Sequence, residues 1–333
     1  MSSSDEQYFL GKREQWKRRG VRAAGESSNG IRKYVCLNTQ NYVKNKTLRN
    51  YLNCMRTWSE SKLIAIYSSV DEICNLIHEK FGISIRSENI SILVIGSCAR
   101  VESKRVGDID IDMIVPTCSL SGLCKEMLKE LEEYICRILK KRDPNISDID
   151  LRIKCLDEVR DKENLVKYKL GAVILHEGEN ARITKILRTT KLSYGDIVRH
   201  LEKLIDYYSR KGEAQKEYYK MIQLYLVITL LIHKMDNEIF RNYITLYYFL
   251  TSNPNIEINL KSQLRELENT IEEFTCYRYN NYPDKRFGEI FSNLIFKSYL
   301  EKVRQLFREQ KNIMKCSCIL SVWYIDKYLG YIR

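Results

Sequence analysis

The sequence predicts an α+β chain in which strands and helices share the first half and helices make up the second. Three observations predict it. Short apolar runs with strand character fall between residues 90 and 175, with an amphipathic helical stretch among them. Beyond about Thr184 the periodic stretches repeat at helical spacing. The 333 residues include only 14 Gly and 4 Pro, few breakers for a chain of that length, which favours long helices.

Taken in order, residues 1–45 read as a basic, partly irregular arm, with SSSDE, GESSNG and LNTQN offering turns. From Thr47 to Phe81 apolar residues recur at helical spacing (Leu48, Leu52, Met55, Leu63, Ile66, Ile73, Leu76, Ile77), and Gly82 is placed to stop that helical region. Strands are expected at Ile90–Ile95, Ile109–Val115, Ile149–Leu156 and Ala172–Leu175. Gly122–Lys141 carries Leu123, Met127, Leu131, Ile135, Ile138 and Leu139 on one helical face. In the second half helices are expected at Ser193–Ser209, at Tyr218–His233 (apolar on every face, hence central and buried), and at 241–251, 258–275, 287–311 and 315–329. The expected division is an arm over 1–45, an α/β unit over 46–183 and a helical unit over 184–333.

Composition narrows the function classes. A hydrophobic content of 44% and a charged content of 29% are those of a globular protein. The longest nearly apolar run, Ile222–Ile232, is too short to cross a bilayer. No apolar segment follows a basic one at the N-terminus, so a cytosolic protein with no membrane partner is expected. The 11 cysteines form no C-x-x-C pair and the 4 histidines do not cluster with them, so reduced thiols are expected rather than disulfides or zinc. The net charge of +12 is uneven: residues 1–62 hold 13 Lys/Arg against 5 Asp/Glu, with a block at KREQWKRRGVR. Such a block reads either as a nucleic-acid-binding arm or as a solvated tail.

The informative stretch is SILVIGSCARVESKRVGDIDIDMIVP. One strand delivers Gly96-Ser97, and the next opens with Asp108, Asp110 and Asp112 at alternate positions, which places all three on one face. Like charges so placed repel one another unless a cation lies between them, and Mg2+ suits a few carboxylates together with phosphate oxygens. ISDIDLRIKCL puts Asp148 and Asp150 on one face of a later strand, from which one aspartate completes a triad if the two strands are neighbours. Two metals held in this way would serve the attacking hydroxyl and the leaving pyrophosphate. Gly96 suits close backbone approach to a phosphate, and Ser97 adds a hydroxyl donor. Arg100, Lys104 and Arg105 read either as triphosphate contacts or as an exposed basic loop. Tyr207, Tyr208, Tyr218, Tyr219, Tyr247 and Tyr248 offer rings for a base but suit ordinary packing better.

These parts resemble the DNA polymerase β-like nucleotidyltransferase superfamily: a Gly-Ser pair, about ten residues, Asp-h-Asp on a strand, and a third Asp on a later strand. Gly96-Ser97 and Asp108-Ile109-Asp110 are separated by ten residues, as in poly(A) polymerases and minimal nucleotidyltransferases. Gly96-Ser97-Cys98-Ala99-Arg100-Val101-Glu102 is similar to the G-S-x-A-R-G-E form of the minimal group, with Val101 in place of Gly. Asp150-Leu151-Arg152-Ile153-Lys154 is similar to the strand that carries the third carboxylate. The resemblance covers Ile90 to Leu156 and implies a polymerase β-like head with a mixed sheet and flanking helices, followed by an all-helical domain. It implies Asp108, Asp110 and Asp150 as catalytic residues and metal ligands, with Asp110 and Asp112 as the alternative pair. It also implies Gly96, Ser97 and Arg100 at the nucleotide, Mg2+ (or Mn2+) as cofactor and a nucleoside triphosphate, foremost ATP, as substrate. Three functions follow: transfer to an RNA 3′ end, which the basic charge favours; nucleotidylation of a protein or small molecule; and a non-catalytic nucleotide-binding scaffold.

Overall fold

The computed structural model describes residues 29–39, 43–82, 86–116, 125–190, 193–210, 215–232, 242–280, 293–310, 322–324 and 330–332. Helix α1 (residues 29–38) comes first, so the irregular stretch expected over 1–45 is helical at its end. Ile31, Tyr34 and Val35 are its buried face, at a helical spacing that the surrounding Asn and Ser obscure in the sequence. The KREQWKRRGVR block lies outside the described residues.

The helical region read from Thr47 to Phe81 is two helices, α2 (Lys46–Tyr67) and α3 (Val70–Phe81). The break has a local cause. The hydroxyls of Ser68 and Ser69 turn back onto the carbonyls of Ile64 and Ala65, each at 2.8 Å, and compete with continuation of the helix. Gly82 does end α3, in the left-handed conformation at φ +66°.

Strand β1 (Ser91–Ile95) leads into the single turn α4 (Gly96–Ala99) and then β2 (Gly107–Val115). Helix α5 (Lys125–Arg142) precedes β3 (Ile146–Cys155), and α6 (Leu156–Val159) and α7 (Lys162–Gly171) precede β4 (Val173–Glu177). The helices α8 (Ile183–Thr189), α9 (Tyr194–Arg210), α10 (Gln215–Ile232), α11 (Tyr243–Ser252), α12 (Ile258–Arg265), α13 (Leu267–Tyr279) and α14 (Asn293–Gln310) follow. α10 is buried over most of Met221–Leu231, as its all-round apolar pattern predicts. The helix expected over 258–275 is divided only at Glu266, a single residue of helical conformation between α12 and α13.

The end of the chain differs from expectation. Instead of the helix expected over 315–329, residues Val322–Tyr324 form β5, and Gly330–Ile332 form β6. Val, Trp and Tyr are strong strand formers, and β5 pairs in parallel with β4, which would otherwise be the sheet edge. The remainder of 315–329 lies outside the described residues.

The chain is an α+β protein built on a mixed sheet of order β3-β2-β1-β4-β5-β6. β1 is antiparallel to β2 and β4, while β2 and β3 run parallel. Alternation along the strands sorts the core. Ile92, Val94, Ile109, Ile111, Met113, Ile149 and Leu151 face α1, α2, α3 and α5. Leu93, Ile95, Ile114 and Ile174 face the opposite way, against Leu165, Tyr168, Ile183 and Leu187. The aspartates of β2 lie on this second face. Among the described residues no helix is long and apolar enough to cross a membrane.

Candidate functional site

The register of the sheet brings the acidic positions together. β2 and β3 are neighbours, with Asp110 directly opposite Asp150 and Asp112 opposite Arg152. Asp108 is exposed at the start of β2, Asp110 is half-buried, and Asp150 is exposed. Burial raises the Asp110 carboxyl above the ordinary aspartate value; Arg152 opposes the shift, while the charges of Asp108 and Asp150 add to it. Asp148 is exposed and caps its own strand, accepting the Ile149 amide at 2.9 Å.

Gly96 fits into this arrangement through its missing side chain. It sits at φ +69°, and a Cβ there would overlap Asp110 Oδ2 and lie 3.0 Å from Asp110 Cγ. The carboxylate of Asp110 occupies the space that any other residue would fill, so a close approach of side chain to backbone requires this glycine. Ser97 is partly buried in the single turn α4, and its carbonyl accepts the Glu102 amide at 2.7 Å.

Val101 departs from the glycine of the resembling motif, and the backbone shows why glycine suits the position. Val101 has φ +58°, the only positive φ among the described non-glycine residues. A β-branched residue in that region is strained by about 1–3 kcal/mol. Its side chain is fully buried, and Asn242 Nδ2 donates to its carbonyl at 2.7 Å. The stretch that follows is pinned from α2. Lys62, almost wholly buried, donates to the carbonyls of Lys104 (2.9 Å) and Gly107 (3.4 Å), and Ser59 Oγ accepts the Ser103 amide at 3.2 Å. Burial lowers the Lys62 ammonium from its ordinary 10.5, against nearby acidic groups that include Asp143 and Asp108. Lys104 and Arg105 are exposed in this loop.

Asp112 belongs to a different set of contacts from Asp108 and Asp110. Its carboxylate is fully buried, 2.8 Å from Arg152 Nε, 3.1 Å from Lys154 Nζ and 3.9 Å from Lys167 Nζ, and it accepts the Tyr168 hydroxyl at 2.8 Å. Arg152 pairs by charge with Oδ1, and the other three partners meet at Oδ2. Removing one member of a buried ion pair costs about 3–5 kcal/mol, because the partner charges stay buried. Asp112→Asn is therefore expected to be the most destabilising of the aspartate substitutions, by about that amount in urea denaturation, while Asp108→Asn leaves the midpoint unchanged. Equal midpoints for the two variants would contradict a structural role for Asp112.

The second half of the chain supplies residues that sequence reading missed. Lys220 of α10 is partly buried among Arg100, Glu102, Arg278 and Asp110, and burial lowers its ammonium to about 7 with Arg100 adding to the shift. Gln223 Nε2 donates to both carboxylate oxygens of Glu102, at 2.8 and 2.9 Å. Arg278 Nη2 and the Tyr279 hydroxyl donate to the Glu102 carbonyl, at 3.3 and 2.7 Å. No short-range pattern announces these residues; their only signal is polarity within otherwise apolar helices. Tyr247 and Tyr248 are buried in the helical core, with the Tyr248 hydroxyl on Glu268, and Tyr207 packs edge-on against Tyr208. The side chains of Tyr218 and Tyr219 lie outside the described residues.

No protein-family model matches the chain, and no curated protein does. Among solved structures, the chain is similar to spectinomycin adenyltransferase AAD(9) from Enterococcus faecialis, crystallised with ATP and spectinomycin. Identity is 11%, the overlap covers 71% of this chain and 98% of that one, and the TM-score is 0.37. A likeness of that depth says nothing about what this chain does, and the functional reading rests on the site.

Among the described residues no three or more of His, Cys, Asp and Glu are gathered closely enough to form a ready-made metal cage. The donors suit a hard cation nonetheless. Asp108, Asp110 and Asp150 share a face, their mutual repulsion weighs on Asp110, and Mg2+ characteristically takes only one or two carboxylates plus substrate phosphate oxygens. Arg152 is the local counter-charge, with Nη2 3.8 Å from Asp110 and 3.7 Å from Asp150.

Proposed function

We propose that the chain is a nucleotidyltransferase that moves a nucleoside monophosphate, foremost AMP from ATP, onto an acceptor hydroxyl. One observation carries the reading: Asp110, seated on the Gly96 turn, lies directly opposite Asp150 in the sheet with Asp108 on the same face. In the resembling family this is the catalytic triad. Asp108, Asp110 and Asp150 would hold Mg2+, which when bound supplies stabilisation of the charge that develops on the phosphoryl oxygens.

The chain's own groups divide the remaining work. Arg100 and Lys220 offer positive charge to the triphosphate beside the Gly96-Ser97 turn. Asp150, exposed on the neighbouring strand, faces the acceptor and takes the proton of its hydroxyl as the oxygen attacks the α-phosphorus. The new P–O bond forms as the bond to pyrophosphate breaks. The acceptor we propose is an RNA 3′ end, supported by the +12 net charge and its concentration in residues 1–62. Incubation with each α-labelled nucleoside triphosphate and Mg2+, with RNA, without RNA and with lysate protein, tests this. Label on RNA supports the acceptor; label on protein or a small molecule replaces it; no label anywhere overturns transfer.

Lys220 makes nucleotide binding depend on pH. Its folded value of about 7 lies below the ordinary 10.5, so the unfolded chain holds the extra proton between those values and this group's contribution to stability rises with pH there. A bound triphosphate favours the ammonium and reverses the preference. ATP affinity is therefore expected to weaken as pH rises from 7, by up to about tenfold per unit. Lys220→Met should bind weakly and lose this dependence in calorimetric titrations between pH 6 and 8.5. An identical pH profile in the variant would remove Lys220 from the nucleotide site.

A further inference from the structure

Residues 100–102 are where the helical half of the chain grips the site. The Glu102 carboxylate is fully buried and serves four donor contacts: Arg100 Nε at 2.9 Å, Gln223 Nε2 at 2.8 and 2.9 Å, and the Tyr243 amide at 3.0 Å. Its backbone carbonyl takes Tyr279 and Arg278 of α13, and its amide closes the α4 turn on Ser97. One residue earlier, strained Val101 is held at its carbonyl by Asn242, whose Oδ1 also caps the first turn of α11 by accepting the Ile244 and Thr245 amides. Three helices, α10, α11 and α13, thus converge on two consecutive residues, Val101 and Glu102, just beyond the Gly96-Ser97 turn.

Arg100 shows what the grip is for. Its Nε is committed to Glu102, while its Nη2 is buried and has no hydrogen-bond partner among the described residues. A buried guanidinium nitrogen left unpaired costs free energy unless an acceptor arrives. The Arg100 charge also acts on both Asp110 and Lys220, so the guanidinium belongs to the same electrostatic neighbourhood as the carboxylate and the cation contributed by α10.

We infer that Glu102 is a positioning residue: it fixes the Arg100 guanidinium so that its unpaired edge meets the triphosphate, and it is the joint through which the helical half sets the nucleotide-binding turn. The inference rests on the proposed nucleotidyl transfer. A carboxylate is required at Glu102 because all its partners donate. An amide would turn an NH2 group toward one of them and lose both that bond and the charge holding Arg100. The strain at Val101 gives the joint a second feature. A backbone held away from its preferred conformation by contacts from another part of the chain relaxes when those contacts are removed.

The test is a double-mutant cycle in the full chain, with ATP·Mg2+ binding read by calorimetry. Glu102→Gln and Arg100→Met are each expected to weaken binding about tenfold, and the double variant no further, since both remove one aimed guanidinium. Multiplicative losses in the double variant, or wild-type affinity in Glu102→Gln, would overturn the positioning role. Amide exchange provides a readout that a merely structural glutamate would not give. In Glu102→Gln, residues 96–107 should lose protection while α10 and α11 keep theirs; loss spread evenly over all of them would mean general destabilisation and overturn the inference. If Glu102→Gln does not fold, Gln223→Met is used in the same cycle with Arg100→Met, where a non-additive loss supports the joint and an additive one refutes it. A wild-type chain that binds no ATP·Mg2+ overturns nucleotidyl transfer itself, whereas binding with an additive cycle overturns only the role of Glu102.

Discussion

Asp110→Asn is expected to abolish nucleotidyl transfer while the protein keeps, or slightly gains, thermal stability. Of the three proposed metal ligands Asp110 is the most enclosed, with Gly96 beneath, Asp150 on the adjacent strand and Asp108 along its own strand. Its carboxyl is raised first by burial and then by those like charges. A raised folded value means that folding penalises the ionised form relative to the unfolded chain, so this group's contribution to stability is present at acid pH and is lost as pH rises through the folded value. Asparagine keeps the shape and removes that penalty. Arg152 does not become an orphan, because it keeps Asp112 at 2.8 Å. Transfer should fall by about 10²–10⁴-fold or more, the range for loss of a group acting directly on the reacting atoms. The checks are label transfer and a melting curve on the same preparation. Retained activity would remove Asp110 from catalysis, and a large drop in melting temperature would recast it as a structural carboxylate.

Gly96→Ala is expected to lose both activity and stability, and Gly82→Ala separates the causes. Both glycines are in the left-handed region, at φ +69° and +66°, so alanine costs each of them about 1–2 kcal/mol of backbone strain. Their surroundings differ. Around Gly82 nothing among the described residues lies within 4 Å of the added methyl group, whereas at Gly96 it meets the Asp110 carboxylate. Gly82→Ala should therefore melt lower and transfer at the wild-type rate. Gly96→Ala should melt lower still and lose about 10²-fold in rate, the usual consequence of moving a reacting group by about an ångström. Equal rates in the two variants would show that Asp110 tolerates displacement.

The reading of the site from sequence rested on alternation. Asp-Ile-Asp-Ile-Asp on a strand can only place three carboxylates on one face, but the identity of the neighbouring strand is not contained in that pattern. The parallel pairing of β2 with β3 made Asp150, rather than Asp148, the residue facing Asp110, and no local pattern contains that information. The same holds for Asp112. In sequence it is equivalent to Asp108 and Asp110, but in the folded chain α7 lays Lys167 and Tyr168 over it and β3 adds Arg152 and Lys154. Val101 shows the converse: a departure visible in the motif, whose meaning appeared only as a positive φ.

Local chemistry by itself determined the α+β class, the strands β1 to β4, most of the helices and the acidic face, because periods of 2 and 3.6 are written into neighbouring residues. It failed where backbone groups had competing partners, as at Ser68 and Ser69, and at Val322–Tyr324, where β4 offered an edge that a tail with high strand propensity could complete. Long-range packing alone brought Lys220, Gln223, Asn242 and Arg278 to a loop more than a hundred residues earlier. A polar residue in an apolar helix shows that it needs a partner, but which partner it finds depends on how distant elements stack, and spacing along the chain does not encode that.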